Sequence, residues 1–312
     1  MKLLGFDIGG TKCAAITADW ENEALLITGR VECPTDHTVS GEDMVDRLFA
    51  LAEGIVTARP DAIGISCGGP LDAARGVVLS PPNLPNYRNL PITEMAGARF
   101  SAPARLTNDA NAGAVAEWKF GAGRGLSSMV FLTFGTGLGA GLILDGRLYE
   151  GISGNAGEVG HIRLAKSGPL GFGKHGSFEG FCSGGGIARL AWQMASEAAV
   201  PPSFIKEGMK PEELSTKDIA EAARAGDAVA REVFRISGEK LGEGLSVLID
   251  ILNPEAIVIG SVFARCPDLL LPPCEAVLAR EALDASLCDC RILPAALGER
   301  IGDYAALGAA LL

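Results

Sequence analysis

The chain has 312 residues, 48% apolar and 21% charged, enough to bury a large core and to form two domains or lobes. Its formal net charge of −11 leaves no basic footprint for a nucleic-acid backbone or an anionic membrane surface. No apolar run reaches the roughly 18 residues that span a bilayer. The opening MKLLGFDIGG has no room for an export signal ahead of its first glycine, so a soluble cytoplasmic protein with no membrane partner is expected.

In chain order, LLGFDIGGTKCAAIT (3–17) is an apolar run, a Gly-Gly turn and a second apolar run, which predicts a β-hairpin. GEDMVDRLFALAEGIVTA (41–58) places Met44, Val45, Leu48, Leu51, Ala52 and Ile55 at helical spacing and predicts a packed helix. AIGISCGG (62–69) reads as a strand. In LTNDANAGA (106–114), Asp109 stands between Asn108 and Asn111 ahead of residues with almost no side chain. On local grounds alone this is an Asx-rich cap at a helix start. MVFLTFGTGLGAGLILDG (129–146) repeats the plan of the first hairpin, and a strand–turn–strand unit occurring twice predicts two lobes sharing a ligand cleft. Residues 200–215, VPPSFIKEGMKPEELS, read as a surface loop. Helices follow from STKDIAEAARAG, then a buried strand in NPEAIVIGS (253–261) and a closing helix in GERIGDYAALGAALL. The eight cysteines lie mostly among apolar neighbours, as expected for reduced thiols, and the CDC at 288–290 lacks a second pair at metal-ligand spacing.

DIGGTK and FGTGLGAG each join small residues to a threonine hydroxyl in a strand-to-strand turn. Such turns let successive backbone N–H groups surround an anion, although a tight hairpin without a ligand uses the same residues. The Walker pattern is absent. Gly135, Gly137 and Ala140 match G-x-G-x-x-[GA], but the following residues read as a strand, whereas a dinucleotide fingerprint opens a helix. An NAD-linked enzyme is thereby the remoter alternative.

These motifs together resemble the ROK (repressor, open reading frame, kinase) family of sugar kinases, within the actin-like ATPase superfamily. GFDIGGTK is similar to the family's first phosphate loop and TFGTGLGAGLILDG to its second. LTNDANAGAVAEWKFGAG is similar to the segment carrying the catalytic base, GISGNAGEVGHIRL to the sugar-contacting block, and LNPEAIVIGS to a nucleotide-side strand. The resemblance implies an α/β, two-lobed, ribonuclease H-like fold with mixed sheets flanked by helices and a cleft between lobes. The N-terminal lobe would take residues 1–115 and be completed by the closing helix of 296–312, and the C-terminal lobe would take 116–295.

The resemblance also implies a function: ATP-dependent phosphorylation of the 6-hydroxyl of a hexose, glucose first, with N-acetylmannosamine, N-acetylglucosamine or fructose as alternatives. Asp109 would be the general base, with Gly69, Asn83, Asn108, Glu158, His161 and Glu179 on the sugar. Gly9, Gly10, Thr11, Lys12, Thr136, Gly137 and Gly260 would hold ATP, Asp7 would orient Mg²⁺ through water, and a homodimer would form. The rival is a sugar-responsive transcriptional regulator lacking its DNA-binding domain, or a non-catalytic sensor. Repressors of the family carry a helix-turn-helix ahead of the first phosphate loop, which here begins by residue 7, so no nucleic-acid partner is expected.

One stretch departs from the family pattern. Many relatives hold a structural zinc with one His and a C-x-C-G-x-x-G-C-x-E run. LGFGKHGSFE keeps Gly173, Gly176 and Glu179 but has Leu170, Phe172 and Ser177 in place of the cysteines. No structural zinc is expected, since His175 and Cys182 are poor substitutes for thiolates at those positions. Apolar packing by Leu170 and Phe172 is expected to hold the loop instead.

Overall fold

The computed structural model describes residues Met1–Leu312 and divides into two compact units. The first comprises Met1–Gly125, Leu148–Gly154 and Glu299–Leu312, and the second Leu126–Arg147 and Asn155–Gly298. No helix is long and apolar enough to cross a membrane.

In the first unit, β1 (Lys2–Ile8) and β2 (Lys12–Glu21) form the expected hairpin, with Ile8 opposite Cys13 and residues 9–11 at its tip. Strand β3 (Ala24–Pro34) continues the antiparallel side, and β4 (Ala62–Cys67) pairs parallel with β1. A small antiparallel sheet of β5 (Leu71–Asp72), β6 (Val77–Leu79) and β7 (Arg88–Leu90) follows. Strand β8 (Ala104–Asn108) then pairs parallel with β4, giving the order β3-β2-β1-β4-β8. The register sets Ile8 beside Cys67 and Cys67 beside Asn108. The carboxyl ends of three parallel strands therefore open side by side, where α/β sheets bind ligands.

Helix α1 (Gly41–Glu53) covers this sheet with Met44, Val45, Leu48, Phe49 and Ala52. Its aromatic seam runs from Phe49 to Phe6, 4.9 Å between centroids, and to Phe100 at the end of α2 (Ile92–Phe100). Leu51 is exposed, and Ile55 lies beyond the helix end. Leu51 sits roughly 90° round the helix from the centre of the buried stripe, and Phe49 takes the place assigned to it. Helix α3 (Asp109–Phe120) is buried continuously from Ala110 to Glu117. Its small residues admit the C-terminal helix Ile301–Ala309, whose Gly308 lies against Val115. That helix also rests on the sheet at Gly64, where a Cβ would stand 2.0 Å from the Ala306 carbonyl oxygen. Each fully buried Phe, Leu or Ile of this core is worth about 1.5–3 kcal/mol over its exposed state.

In the second unit, β9 (Met129–Leu132) and β10 (Ala140–Leu144) form the other expected hairpin. A two-residue-turn hairpin of β11 (Leu170–Gly171) and β12 (Lys174–His175) leads into the short helix α4 (Phe178–Phe181) and then α5 (Gly184–Glu197). Helices α6 (Thr216–Ala225) and α7 (Ala228–Leu252) precede β13 (Ala256–Ile259), which is parallel to β9 and to β14 (Arg291–Pro294). The core gathers Phe134, Phe178, Phe234 and Phe263. The segment 200–215 is not merely surface, because Phe204 and Leu214 are buried.

Candidate active site

Each unit brings together its own group of the residues singled out in the sequence. In the first, the turn after β1 is braced from behind: Thr35 Oγ1 donates to the Gly9 carbonyl at 2.6 Å, and His37 Nε2 lies 2.8 Å from the Gly10 carbonyl. Asn83 closes over Gly10, whose Cβ, if present, would be 2.7 Å from the Asn83 Cβ. Lys12 is paired with Glu32 at 3.3 Å, so it is a member of a surface ion pair. Gly69, two residues beyond the end of β4, leaves open space where a side chain would stand.

The local capping interpretation holds for Asn108. Its Oδ1 accepts the Asn111 N–H at 2.7 Å, making Asn108 the cap of α3. Asp109 is then the first helical residue, exposed, with Oδ1 accepting from the Ala110 N–H at 2.9 Å. Asn111 is buried, and its Oδ1 has no hydrogen-bond partner.

Asp7 is half-buried, and burial first, then the carboxylates of Asp303 and Asp109, push its carboxyl up to about 6, against the opposing pull of Lys12 and Arg30. Asp303 itself is buried and gripped by Arg30, whose Nε donates to both carboxylate oxygens at 3.0 and 2.9 Å. Arg30 also pairs with Glu32 at 2.8 Å, so Lys12, Glu32, Arg30 and Asp303 form one chain of charges beside Asp7. Gly302 fits directly under Asp7, where a Cβ would be 2.3 Å from Oδ2. Nothing in the local sequence around Gly302 or Asp303 marks them as site residues.

In the second unit, Glu179 on α4 ties the Glu158–His161 turn to the second glycine turn. Its Oε2 accepts the Leu138 N–H at 3.1 Å, and a Cβ on Gly137 would be 2.8 Å from that oxygen. Glu158 and His161 are exposed at the two ends of one 3-10 turn, and Gly160 within that turn lies against the Glu179 Cβ. Gly260 ends β13, its N–H donating to the Leu132 carbonyl at 2.9 Å. The N–H of Gly184 reaches the Gly135 carbonyl at 2.7 Å and places the start of α5 on the same turn.

Sequence reasoning missed a groove of about 430 Å³ beside that turn, lined by Gly185, Ala188, Arg189, Trp192, Pro211, Glu212 and Leu214. Gly185 brings it next to Thr136, whose carbonyl oxygen would be 3.4 Å from a Cβ there. A large aromatic on the half-covered face of α5, opposite a proline-rich segment, was the available signal.

The stretch that replaces the zinc run is organised by polar groups rather than by the apolar packing expected. Phe172, in the two-residue turn between β11 and β12, is 72% exposed, and Leu170 at the start of β11 is 40% exposed. The buried Ser177 takes over, accepting the Gly180 N–H at 3.1 Å as the cap of α4, with the Lys174 carbonyl 3.2 Å from its Oγ. A capping hydroxyl, two outward apolar side chains and a His175 ring bonded to the Gly168 carbonyl do not fit a tetrahedral zinc.

A profile of the ROK family matches residues 3–312. The chain belongs to the ROK family. Among its relatives is a glucokinase of Streptomyces coelicolor, 37% identical over 275 residues, which cover 86% of this chain and 84% of that one. A xylose repressor of Caldicellulosiruptor bescii is 31% identical over 83% of this chain and 66% of its own length. Among solved structures, a ROK glucokinase from Streptomyces griseus in complex with glucose and AMPPNP matches with a TM-score of 0.77 and 33% identity, covering 99% and 98% of the two chains. The two-lobed actin-like ATPase fold expected from the ROK motifs is thereby that of its structural neighbours.

Proposed function

We propose that this ROK protein is an ATP-dependent hexose kinase acting on the 6-hydroxyl, with glucose as the first substrate to test. The observation that carries this reading is Asp109. It leaves the carboxyl end of β8 as an exposed carboxylate, at the same edge of the sheet as the turn after β1. Phosphoryl transfer requires little covalent chemistry from the protein beyond positioning, charge stabilisation and a base for the attacking hydroxyl. Asp109 accepts that proton. Because the Asn108 oxygen is spent on the helix cap, its Nδ2 group is presented as a donor to a sugar oxygen. Glu158, His161 and Glu179, with Gly69 and Asn83, supply the directional contacts a polyhydroxyl ligand needs.

The phosphates are assigned to the turns at Gly9, Gly10 and Thr11 and at Thr136 and Gly137, with Gly260 and the Trp192 groove taking the nucleoside. Lys12 contributes by field rather than as a free ammonium, given its pairing with Glu32. The donor set around Asp7 fits Mg²⁺: burial first, then the neighbouring carboxylates of Asp303 and Asp109, disfavour its charged form, and a divalent cation offsets that penalty. When bound, the ion offsets charge on the phosphate oxygens.

A cytoplasmic homodimer completes the reading, and sedimentation showing only a 32.2 kDa species at micromolar concentration would oppose the dimer. A sensor or regulator, as the xylose repressor's name suggests for that relative, has no use for a general base. A panel of hexoses and N-acetylhexosamines with ATP in a coupled ADP-release assay tests the proposal. Turnover of at least one sugar is expected. Nucleotide and sugar binding without turnover of any would hand the site to the sensor reading.

A further inference from the structure

We infer that Phe172 is a positioning residue for His161, holding its imidazole by ring contact where many relatives use a metal; the inference rests on the assignment of His161 to the sugar site. The β11–β12 hairpin has a two-residue turn, Phe172 and Gly173, with φ of 41° and 74°. Both lie in the left-handed region that such a turn demands, where Asn-Gly and Asp-Gly are the favoured pairs. A bulky aromatic at the first position is strained, and it gains little from burial, since 72% of its surface is exposed. A strained, outward apolar residue that persists points to a role outside packing.

The role is visible in its one aromatic contact. The Phe172 and His161 rings meet edge to face, 5.1 Å between centroids and 73° between planes. The hairpin also fixes the backbone of the His161 segment, through Lys174 Nζ donating to the His161 carbonyl and Arg163 donating to the His175 carbonyl, each at 2.6 Å. The main chain at 161 is thus held by hydrogen bonds and the ring by Phe172. An edge-to-face aromatic pair restricts the imidazole plane while leaving its nitrogens available to a ligand.

The experiment compares wild type, Phe172→Gly and Phe172→Tyr. Glycine accepts positive φ without strain, so the variant keeps or raises its melting temperature. The expected result is a sugar KM about tenfold higher, comparable to loss of a group that orients a ligand from behind, with kcat changed far less. Tyr, which keeps the ring, restores KM. With three histidines in the chain, the His161 ring signals are assignable by NMR through His161→Gln. They should move in the glycine variant while those of His37 stay. A sugar KM equal to wild type, or unmoved His161 signals, overturns the inference. A lower melting temperature with unchanged KM does so too, because it would make Phe172 purely structural. Should wild type turn over no sugar, the kinase reading fails separately, and NOEs from the His161 ring to its remaining neighbours, measured without any sugar, still decide it: a pattern unchanged in the glycine variant means that Phe172 does not hold the ring.

Discussion

Asp7→Asn should make the protein more stable at neutral pH while removing its activity. Moving a carboxyl from its ordinary 3.8 to about 6 corresponds to about 3 kcal/mol of penalty on the charged form in the folded state. Water reaching the half-buried group trims this, so a gain of about 1–3 kcal/mol is expected for the neutral, nearly isosteric amide at pH 7.5. The pH dependence follows from the raised value. Below 3.8 Asp7 is protonated folded and unfolded, and the amide has no advantage. As pH climbs toward 6 the wild type loses this stability, and the advantage of the variant grows to its full size above 6. Urea unfolding of both proteins without Mg²⁺ or nucleotide, at pH 4 and 7.5, measures it. A variant less stable than wild type at pH 7.5, or an equal difference at both pH values, would refute the electrostatic reasoning.

Asp109→Asn should lower kcat by about 10²–10⁴-fold with sugar affinity by calorimetry retained; loss of binding with no separate catalytic defect would remove Asp109 as the base. Arg30→Met leaves the buried Asp303 without its partner and should cost about 2 kcal/mol in urea unfolding, less than a fully dry pair because Arg30 is partly exposed. Trp192→Ala should raise KM for ATP about tenfold with little change in KM for sugar, by loss of one base–aromatic stack. An unchanged KM for ATP would remove the groove from the site.

The two glycine-turn hairpins were legible because each apolar run is punctuated by residues that fit few other structures. Asp109 stood out for the same reason, between carboxamides that locally mean a cap, and the cap turned out to be its neighbour Asn108. The charge chain from Lys12 to Asp303 was not legible, since Arg30 and Asp303 are 273 positions apart and neither segment has a distinctive pattern. Sequence spacing also misjudged Phe172, where apolar character suggested packing and a two-residue turn instead aimed the ring outward. The Trp192 groove was hidden because its far wall, Pro211 to Leu214, reads as an ordinary linker.

The seating of the C-terminal helix on Gly64 has a consequence for how the protein is made. The first unit begins at the chain's start, yet its acidic centre waits for Gly302 and Asp303, which the ribosome adds only after the whole second unit. Until then Asp7 lacks the neighbouring carboxylate and the close-fitting backbone of the C-terminal helix, so a nascent chain has the glycine turn after β1 without the finished acid cluster. Closing that long loop is entropically slow. Appearance of activity during synthesis should therefore lag behind folding of either sheet, and clipping the final turns of the helix should silence the enzyme while the second unit remains folded.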